Sequence, residues 1–398
     1  MKKRGRSREA GRNAGAGGTA PGRAGAGVTA LLAAVLCMLV LAAAAWGEPA
    51  PGKVGIRVLH TSNAEGNLIP CPTCQYSKLG GLARRTAFIL AEKSRTGNVL
   101  VVDSGNLFAV PEGTRPTEAE LKTADIIVEA YNRMGMHAMN IGHRETAMGR
   151  DFFSRPEVKN LPWISSNLLD GDGKPIFKTW VVHKLGNVRI GVIGLASAKG
   201  NAVVQQRWGK GASFADPLLS AKKAIRELLG QTDVVLLLSA LSPDEVDRLA
   251  SENPGICFIL GGGDGGTTVR PLQKSGTPVL RSGRDGMYVG RLDLTCVEGK
   301  PGFLDAGEEA KLHLDLQGLE QRIAVMKQAR ENRGGGALEK MIAELEDRKK
   351  AVEGELVRVC SCSTETGKFL WSLVPMESDL PDDAIVIHRL KKEGLDQP

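Results

Sequence analysis

The sequence predicts a mixed α/β fold, and three observations carry the prediction. Apolar runs of strand length recur along the chain and end in polar, glycine-marked turns. Amphipathic stretches of helix length separate them. One pair of apolar runs, 178–185 and 188–194, is joined at Gly186-Asn187, which signals a hairpin and some antiparallel pairing. Strands alternating with helices, with occasional hairpins, imply sheets covered by helices.

The elements follow in order. After a linker at 48–53, a strand is expected at 54–60, Val-Gly-Ile-Arg-Val-Leu-His, and a helix at about 81–94. A strand at 98–102 leads through a Pro- and Gly-rich loop to a helix at about 117–134. Next come a strand at 137–141, a short helix near 149–155 and a strand at 161–167. Beyond the hairpin, Asp216-Pro217 opens a helix at about 215–229, because Asp caps an N-terminus and Pro suits the first helical position. Strand 233–239, helix 243–251 and strands 256–260, 277–281 and 287–296 complete the core. From about residue 300 the pattern turns helical. Leu319, Ile323 and Met326 share one face of 316–332. Gly334-Gly335-Gly336 breaks the run, and 337–357 resumes it with Leu338, Met341, Ile342, Leu345 and Val352. Two such stretches around a Gly turn predict a C-terminal helical hairpin over about 316–357, a packing appendage or a partner-docking arm.

Composition narrows the function classes. The chain has 398 residues, enough for a large core and an appendage, and aromatics make up only 4%. The net charge of +7 is local: residues 1–47 carry seven basic side chains against the single acid Glu9, and the remainder is nearly neutral. There is no electrostatic footprint for nucleic-acid binding. The basic stretch precedes an unbroken apolar run at 28–46, and Ala45-Trp46-Gly47 offers small residues at the two positions a signal peptidase reads. Residues 1–47 therefore read as a secretory signal or a retained N-terminal anchor, and both place the rest of the chain in the periplasm or exterior. Membrane contact is expected only through this segment. The expected domains are 1–47, a core at 48–300 and an extension at 301–398. The exported part holds Cys71, Cys74, Cys257, Cys296, Cys360 and Cys362, which allow 15 pairings. Cys257 and Cys296 lie in apolar strands and read equally as buried small residues.

The strand ends carry motifs. Leu59-His60-Thr61 and Gly66, Gly80-Gly81-Leu82-Ala83-Arg84, Asp103-Ser104-Gly105, Gly142 with Glu145, Ser165-Ser166-Asn167-Leu168, Ile190 to Leu195, Phe214-Ala215-Asp216-Pro217, Leu238-Ser239 and Gly261-Gly262 occur in this order. Over about 54–296 the series resembles the periplasmic 5′-nucleotidase and UDP-sugar hydrolase family of the calcineurin-like metallophosphoesterases. The resemblance implies a sandwich of two β-sheets flanked by helices, with two bridged divalent metals at the strand ends activating a water against phosphorus.

The same resemblance exposes departures. Asn63 stands where the family has Asp, and Glu65 where it has His. Asn106 replaces the bridging Asp, while His143 and Arg144 replace the ligand Asn and the catalytic His. Ala240, Gly263 and Gly265 fall on the three later His positions. Asn lacks the charge that bridges two dications, Gly and Ala offer no side-chain donor, and Arg144 brings a fixed positive charge. The plainer reading of Asn63, Glu65, Asn106 and His143 is that they satisfy loop hydrogen bonds; the functional alternatives are a single divalent metal, with Glu65 and His143 as candidate ligands, or an anion site at Arg144. The family's nucleoside-stacking domain is not matched, so nucleotide selectivity is not carried over.

One reactive motif stands against this erosion. Pro70-Cys71-Pro72-Thr73-Cys74 precedes Gly80-Gly81, and a Cys-x-x-Cys pair forms a reversible disulfide or supplies two soft metal ligands. In this it resembles a branch of the family with cysteine or selenocysteine before Gly-Gly-Leu-Ala-Arg. A structural disulfide is the plainer alternative. Three functions compete: an exported, catalytically degenerate module for an unknown small ligand or a redox partner protein; an active phosphoester hydrolase with an altered metal site; and a structural partner protein using the hairpin.

Overall fold

A computed structural model describes residues 52–396 except 71–77, 112, 253, 263–265, 301, 334–335 and 363–365; side chains are also left undescribed at 200, 203, 331–333 and 360–362. In chain order the strands are β1 Lys53–Thr61, β2 Val99–Asp103, β3 Ala138–Asn140, β4 Trp163–Ile164, β5 Leu168–Leu169, β6 Trp180–Leu185, β7 Val188–Ala196, β8 Ser213–Phe214, β9 Val234–Ala240, β10 Phe258–Gly261, β11 Leu272–Lys274, β12 Thr277–Arg281, β13 Tyr288–Val297, β14 Phe303–Asp305 and β15 Gly367–Pro375. The helices are α1 Leu82–Arg95, α2 Glu118–Met134, α3 His143–Met148, α4 Arg150–Ser154, α5 Pro156–Lys159, α6 Asn201–Trp208, α7 Pro217–Leu228, α8 Pro243–Glu252, α9 Ala306–Arg333, α10 Gly336–Cys362 and α11 Ala384–Lys392.

Two sheets face each other. One has seven strands in the order β14-β15-β13-β1-β2-β3-β4, and the other six in the order β11-β12-β10-β9-β7-β6. The alternation of side chains along each strand builds the layers. Ile56, Val58, Leu100 and Val102 point inward and meet Ile190, Val192, Leu236, Leu238, Phe258 and Leu260 of the other sheet. The alternate residues Leu59, Val99 and Val101 point outward into a core shared with Ile89 of α1 and Ile127 and Tyr131 of α2. On the far side, Ile193, Leu195, Leu237 and Ile259 pack against Leu218 and Ala221 of α7 and Leu249 of α8. The inner strands are buried on both faces, which is why they read as continuous apolar runs rather than alternating ones. Each fully buried Val or Leu contributes about 1.5–3 kcal/mol relative to exposure.

Helix starts follow local chemistry. Thr117 accepts from Glu120 N at 3.2 Å while the Glu120 carboxylate accepts from Thr117 N at 2.7 Å, a reciprocal cap that starts α2. Asp216 Oδ1 accepts from Leu219 N at 2.8 Å and starts α7, with Pro217 in its first turn.

The structure refines the expected elements in several places. The single helix near 149–155 becomes three short ones, α3 to α5, because Gly149 at φ 83° and Pro156 interrupt the run. The strand at 161–167 shrinks to β4, and Ser165 and Ser166 instead donate backbone hydrogen bonds to Lys178 and Gly194. The first hairpin helix begins at Ala306. It pairs antiparallel with α10 through buried Leu319, Ile323 and Ile342 and cross-helix ion pairs Lys349–Glu320 at 2.9 Å and Lys327–Glu346 at 2.7 Å. Elements absent from the sequence reading are β5, α6, β8, β11, β14, β15 and α11. The residues set apart as an extension, 301–398, thus contribute β15, which pairs along β13 inside the larger sheet. Among the described residues no helix is long and apolar enough to cross a membrane. Cys71, Cys74 and residues 1–47 lie outside the described residues, as do the side chains of Cys360 and Cys362. Cys257 is half-buried and Cys296 buried, both as free thiols, and burial together with the nearby Cys257 and Asp233 pushes the Cys296 thiol up to about 12.

Candidate functional site

β1, β2, β3 and β4 run parallel, as do β7, β9, β10 and β12, so their carboxyl ends gather at one edge of the sandwich. Cross-sheet bonds fasten these ends together. Ser104 Oγ donates to Leu260 O at 2.7 Å, and Asn140 Nδ2 donates to Leu195 O at 3.0 Å.

The loops after β1 and β2 are zipped by their backbones. Ser104 N donates to Thr61 O at 3.0 Å, Asn63 N to Gly105 O at 3.0 Å, Glu65 N to Asn106 O at 3.0 Å and Gly66 N to Leu107 O at 2.8 Å. The price of this geometry is left-handed backbone at Asn63 (φ 46°), Glu65 (φ 50°) and Asn106 (φ 59°). Asn tolerates that region; Glu does so only when neighbouring bonds hold it.

Glu145 is the centre of the cluster. It is fully buried, and its carboxylate accepts from Leu107 N at 2.6 Å, Asn106 N at 2.8 Å and Gly142 N at 2.8 Å. It thereby locks the loop after β2 to the start of α3. Burial pushes its pKa up, against the pull of those three donors. Asp103 is buried beside it. Its carboxylate accepts from Thr61 Oγ1 at 2.6 Å, Gly105 N at 2.8 Å and Tyr131 Oη at 3.1 Å. Burial outweighs these bonds, and with the Glu145 charge it raises Asp103 to about 7. His60 is fully buried and lies 2.8 Å from Ser104 Oγ through Nε2. Since Ser104 donates onward to Leu260 O, His60 Nε2 is the donor in that pair, and Nδ1 finds no partner among the described residues. Burial depresses His60 to about 3, so the ring is neutral.

The residues singled out from the sequence divide here into those brought together and those kept apart. Asn106 Nδ2 donates to Asn63 Oδ1 at 3.1 Å, joining the two amides. Arg144 Nη2 donates to Glu65 Oε2 at 2.8 Å, and its Nη1 to Ala109 O at 3.2 Å. The Arg144 backbone N–H also reaches Asn106 Oδ1 at 3.4 Å. Asn63, Glu65, Asn106 and Arg144 therefore form one connected patch. His143 turns away: Nε2 donates to Ser197 O at 2.9 Å, and its ring meets Phe214 edge-on at 5.8 Å. Glu65 is thus bonded to Arg144 and His143 to the Ser197 carbonyl, two different partners. Ala240 is buried, its carbonyl accepting from Ser197 N at 3.2 Å. Gly263 and Gly265 lie outside the described residues; the adjoining Gly262 approaches so closely that a Cβ there would sit 3.3 Å from Asn63 Oδ1. Among the described residues no group of three or more His, Cys, Asp or Glu side chains is arranged to hold a metal.

The neck of the Cys71–Cys74 loop is in place. Pro70 and Gly80 form an antiparallel bridge, and Arg84 Nη1 donates to the carbonyls of Lys78, Gly80 and Met376 at 2.9–3.0 Å. Gly80 adjoins the 283–287 turn, whose Asp285 N donates to Asn63 O at 2.8 Å. The neck is thus one turn of chain away from the amide pair.

Sequence reasoning gave no role to Glu145, Asp103, His60 or Arg85. The Gly142-x-x-Glu145 spacing at a helix start was the available signal for Glu145. Nothing in the sequence marks Arg85, which is fully buried with its three guanidinium nitrogens lacking hydrogen-bond partners among the described residues. It lies under Gly286, where an added Cβ would fall 1.4 Å from Nη1 on a backbone at φ 63°. Gly286→Ala is therefore expected to cost about 2–4 kcal/mol from overpacking and left-handed strain, read as a lowered urea midpoint. The Arg85→Met background should recover part of that loss; equal losses in both backgrounds would contradict the packing account.

No family model matches the chain. A 5′-nucleotidase of Vibrio vulnificus is 24% identical over 347 residues, covering 76% of this chain and 61% of that protein. The crystal structure of the calcineurin-like phosphoesterase YfkN of Bacillus subtilis superposes with a TM-score of 0.53 at 19% identity, covering 63% of this chain and 87% of that one. The sulfate thiohydrolase SoxB of Thermus thermophilus superposes with a TM-score of 0.59 at 17% identity, covering 87% of this chain and 61% of that one. The chain spans about three fifths of the length of the curated relatives it matches. The two-sheet, helix-flanked sandwich implied by the sequence resemblance is the fold observed.

Proposed function

We propose, for a chain that has the calcineurin-like phosphoesterase fold and is related in sequence to the 5′-nucleotidases, that the strand-end site no longer performs two-metal hydrolysis. The chain would act instead as an exported binding or thiol-redox module. The observation that carries this reading is the closed patch: Arg144 on Glu65 at 2.8 Å, and Asn106 on Asn63 at 3.1 Å. Side chains there bond to one another. The one carboxylate of the patch is neutralised by a guanidinium, the two amides bring no charge, and His143 spends its Nε2 on a carbonyl. Two bridged divalent ions need several anionic oxygen or neutral imidazole donors converging on them, and this donor set does not fit them.

The redox half of the reading rests on the Cys71-x-x-Cys74 spacing of the sequence. Export rests on the basic and apolar pattern of residues 1–47.

The test is to express the full chain with its N-terminal segment, recover the exported protein, and measure metal content, thiol state and turnover of bis(p-nitrophenyl) phosphate and 5′-AMP with manganese. Sub-stoichiometric metal and turnover at the level of the blank are expected. Cys71 and Cys74 should exchange between dithiol and disulfide in redox buffers, and the Cys71→Ser/Cys74→Ser variant should lose that exchange. Manganese-dependent turnover that disappears in Glu65→Gln or His143→Ala would overturn the reading.

A further inference from the structure

A second site lies at the side of the sandwich, away from the strand tips. There β4 and β6, each at an edge of its sheet, adjoin, with Ile164 of β4 bridged to Lys178 in the segment that leads into β6. Between them and α4 is a cavity of about 650 Å³, within the size range of small-molecule sites.

Its wall is aromatic in a chain that has few aromatics. Phe153, Trp163, Phe177 and Trp208 all line it. Phe153 packs edge-on to Trp163 at 5.1 Å and to Phe177 at 5.5 Å, and Phe177 meets Trp208 at 5.5 Å. Both indole N–H groups are already spent on backbone carbonyls, Trp163 on Val158 O at 2.9 Å and Trp208 on Thr146 O at 2.8 Å. The rings are thereby fixed, and they offer the cavity ring carbon rather than donors. Polar recognition falls to the rim.

The rim is cationic. Arg150, Lys159 and Lys178 line the cavity and are exposed, and no carboxylate is among the lining residues. None of the three makes an ion pair among the described residues, although nearby Arg155 is held by Asp125 and Glu157. Three cationic side chains without carboxylate partners give the rim a positive potential that favours an anion. A flat ring provides the surface that the wall accepts.

We infer that this cavity binds a small aromatic anion, an aryl phosphate or aryl carboxylate, with its ring against Phe177 and Trp208 and its anionic group among Arg150, Lys159 and Lys178. This is independent of the state of the strand-end site, since none of the lining residues lies at a strand tip.

Calorimetric titration of the full chain with 1-naphthyl phosphate tests it, alongside 1-naphthol, 1-naphthoate and inorganic phosphate. The two aryl anions should bind saturably, and the neutral naphthol and bare phosphate at least tenfold more weakly. The Lys159→Glu/Lys178→Glu variant, with its melting temperature checked against the parent, should weaken naphthyl phosphate at least tenfold. Phe177→Ala should weaken it as well, whereas Arg144→Ala should leave it unchanged. Equal affinity for naphthol, unchanged affinity in the folded double variant, absence of binding at millimolar ligand, or loss in Arg144→Ala alone would each overturn the assignment.

Discussion

Glu145→Ala is expected to lower stability by about 3–6 kcal/mol, because each buried backbone donor deprived of its acceptor costs about 1–3 kcal/mol. Three are deprived at once: Asn106 N, Leu107 N and Gly142 N all point at this carboxylate. The side chain is fully buried, so in the wild type these donors depend on it and not on bulk solvent. Glu145→Gln should cost less than alanine. One Gln oxygen can still serve the Asn106 and Gly142 donors, and the new NH₂ then faces only Leu107 N. The expected order in urea midpoint is wild type, then Gln, then Ala. Hydrogen exchange should also rise at Asn106 and Leu107 in the alanine variant. An alanine variant within about 1 kcal/mol of wild type would mean that these loops are held by their backbone zipper alone.

The second large effect is a pair of opposed pH dependences. His60 is neutral in the folded protein down to about pH 3, but in the unfolded chain it takes a proton below about 6.5. The unfolded state therefore binds more protons in that window, and stability is lost as the pH falls through it. His60→Leu removes the loss. It gives up one hydrogen bond to Ser104, whose hydroxyl still donates to Leu260 O. Relative to wild type, the variant should gain about 3 kcal/mol on going from pH 7 to pH 4, since each unit of pKa difference is worth about 1.4 kcal/mol. Asp103 has the opposite sign. Raised to about 7 in the fold, from 3.8, it holds a proton that the unfolded chain has released. Its contribution is full below about pH 4 and is lost as the pH rises to 7. Glu145, also raised, acts in the same direction. Relative to wild type, Asp103→Asn should become more favourable from pH 4 to pH 7. Chemical denaturation of both variants at several pH values checks this. Two difference curves with slopes of the same sign, or flat ones, would refute the assignment of His60 as a neutral buried ring.

The sandwich was legible in the sequence because its strands are buried on both faces. Such strands must be apolar throughout, and turns must separate them; 188–194, 233–239 and 256–260 each match an observed strand closely. β15 was not legible. Its Lys368 and Ser372 interrupt the apolar pattern, because only one face of that part of the sheet meets the core. The alternation becomes informative only when β13 is present as its partner. Similarly, 161–167 has a strand's composition, yet its backbone donors are claimed by Lys178 and Gly194, residues remote in sequence.

The site divides in the same way. The sequence by itself determined the fold class, the order of strand ends and the identity of every side chain at their tips, since residue type is a one-dimensional property. It left open whether Asn63, Glu65, Asn106 and His143 converge and what Arg144 faces. Only the tertiary structure decided that Arg144 folds onto Glu65, that the two amides bond each other and that His143 turns to Ser197. It alone also revealed the buried carboxyl groups of Asp103 and Glu145 and the aromatic cavity between β4 and β6. The reason is physical. Hydrogen bonds and ion pairs act over about 3 Å, and burial sets their strength, so both depend on which distant segments the chain brings together.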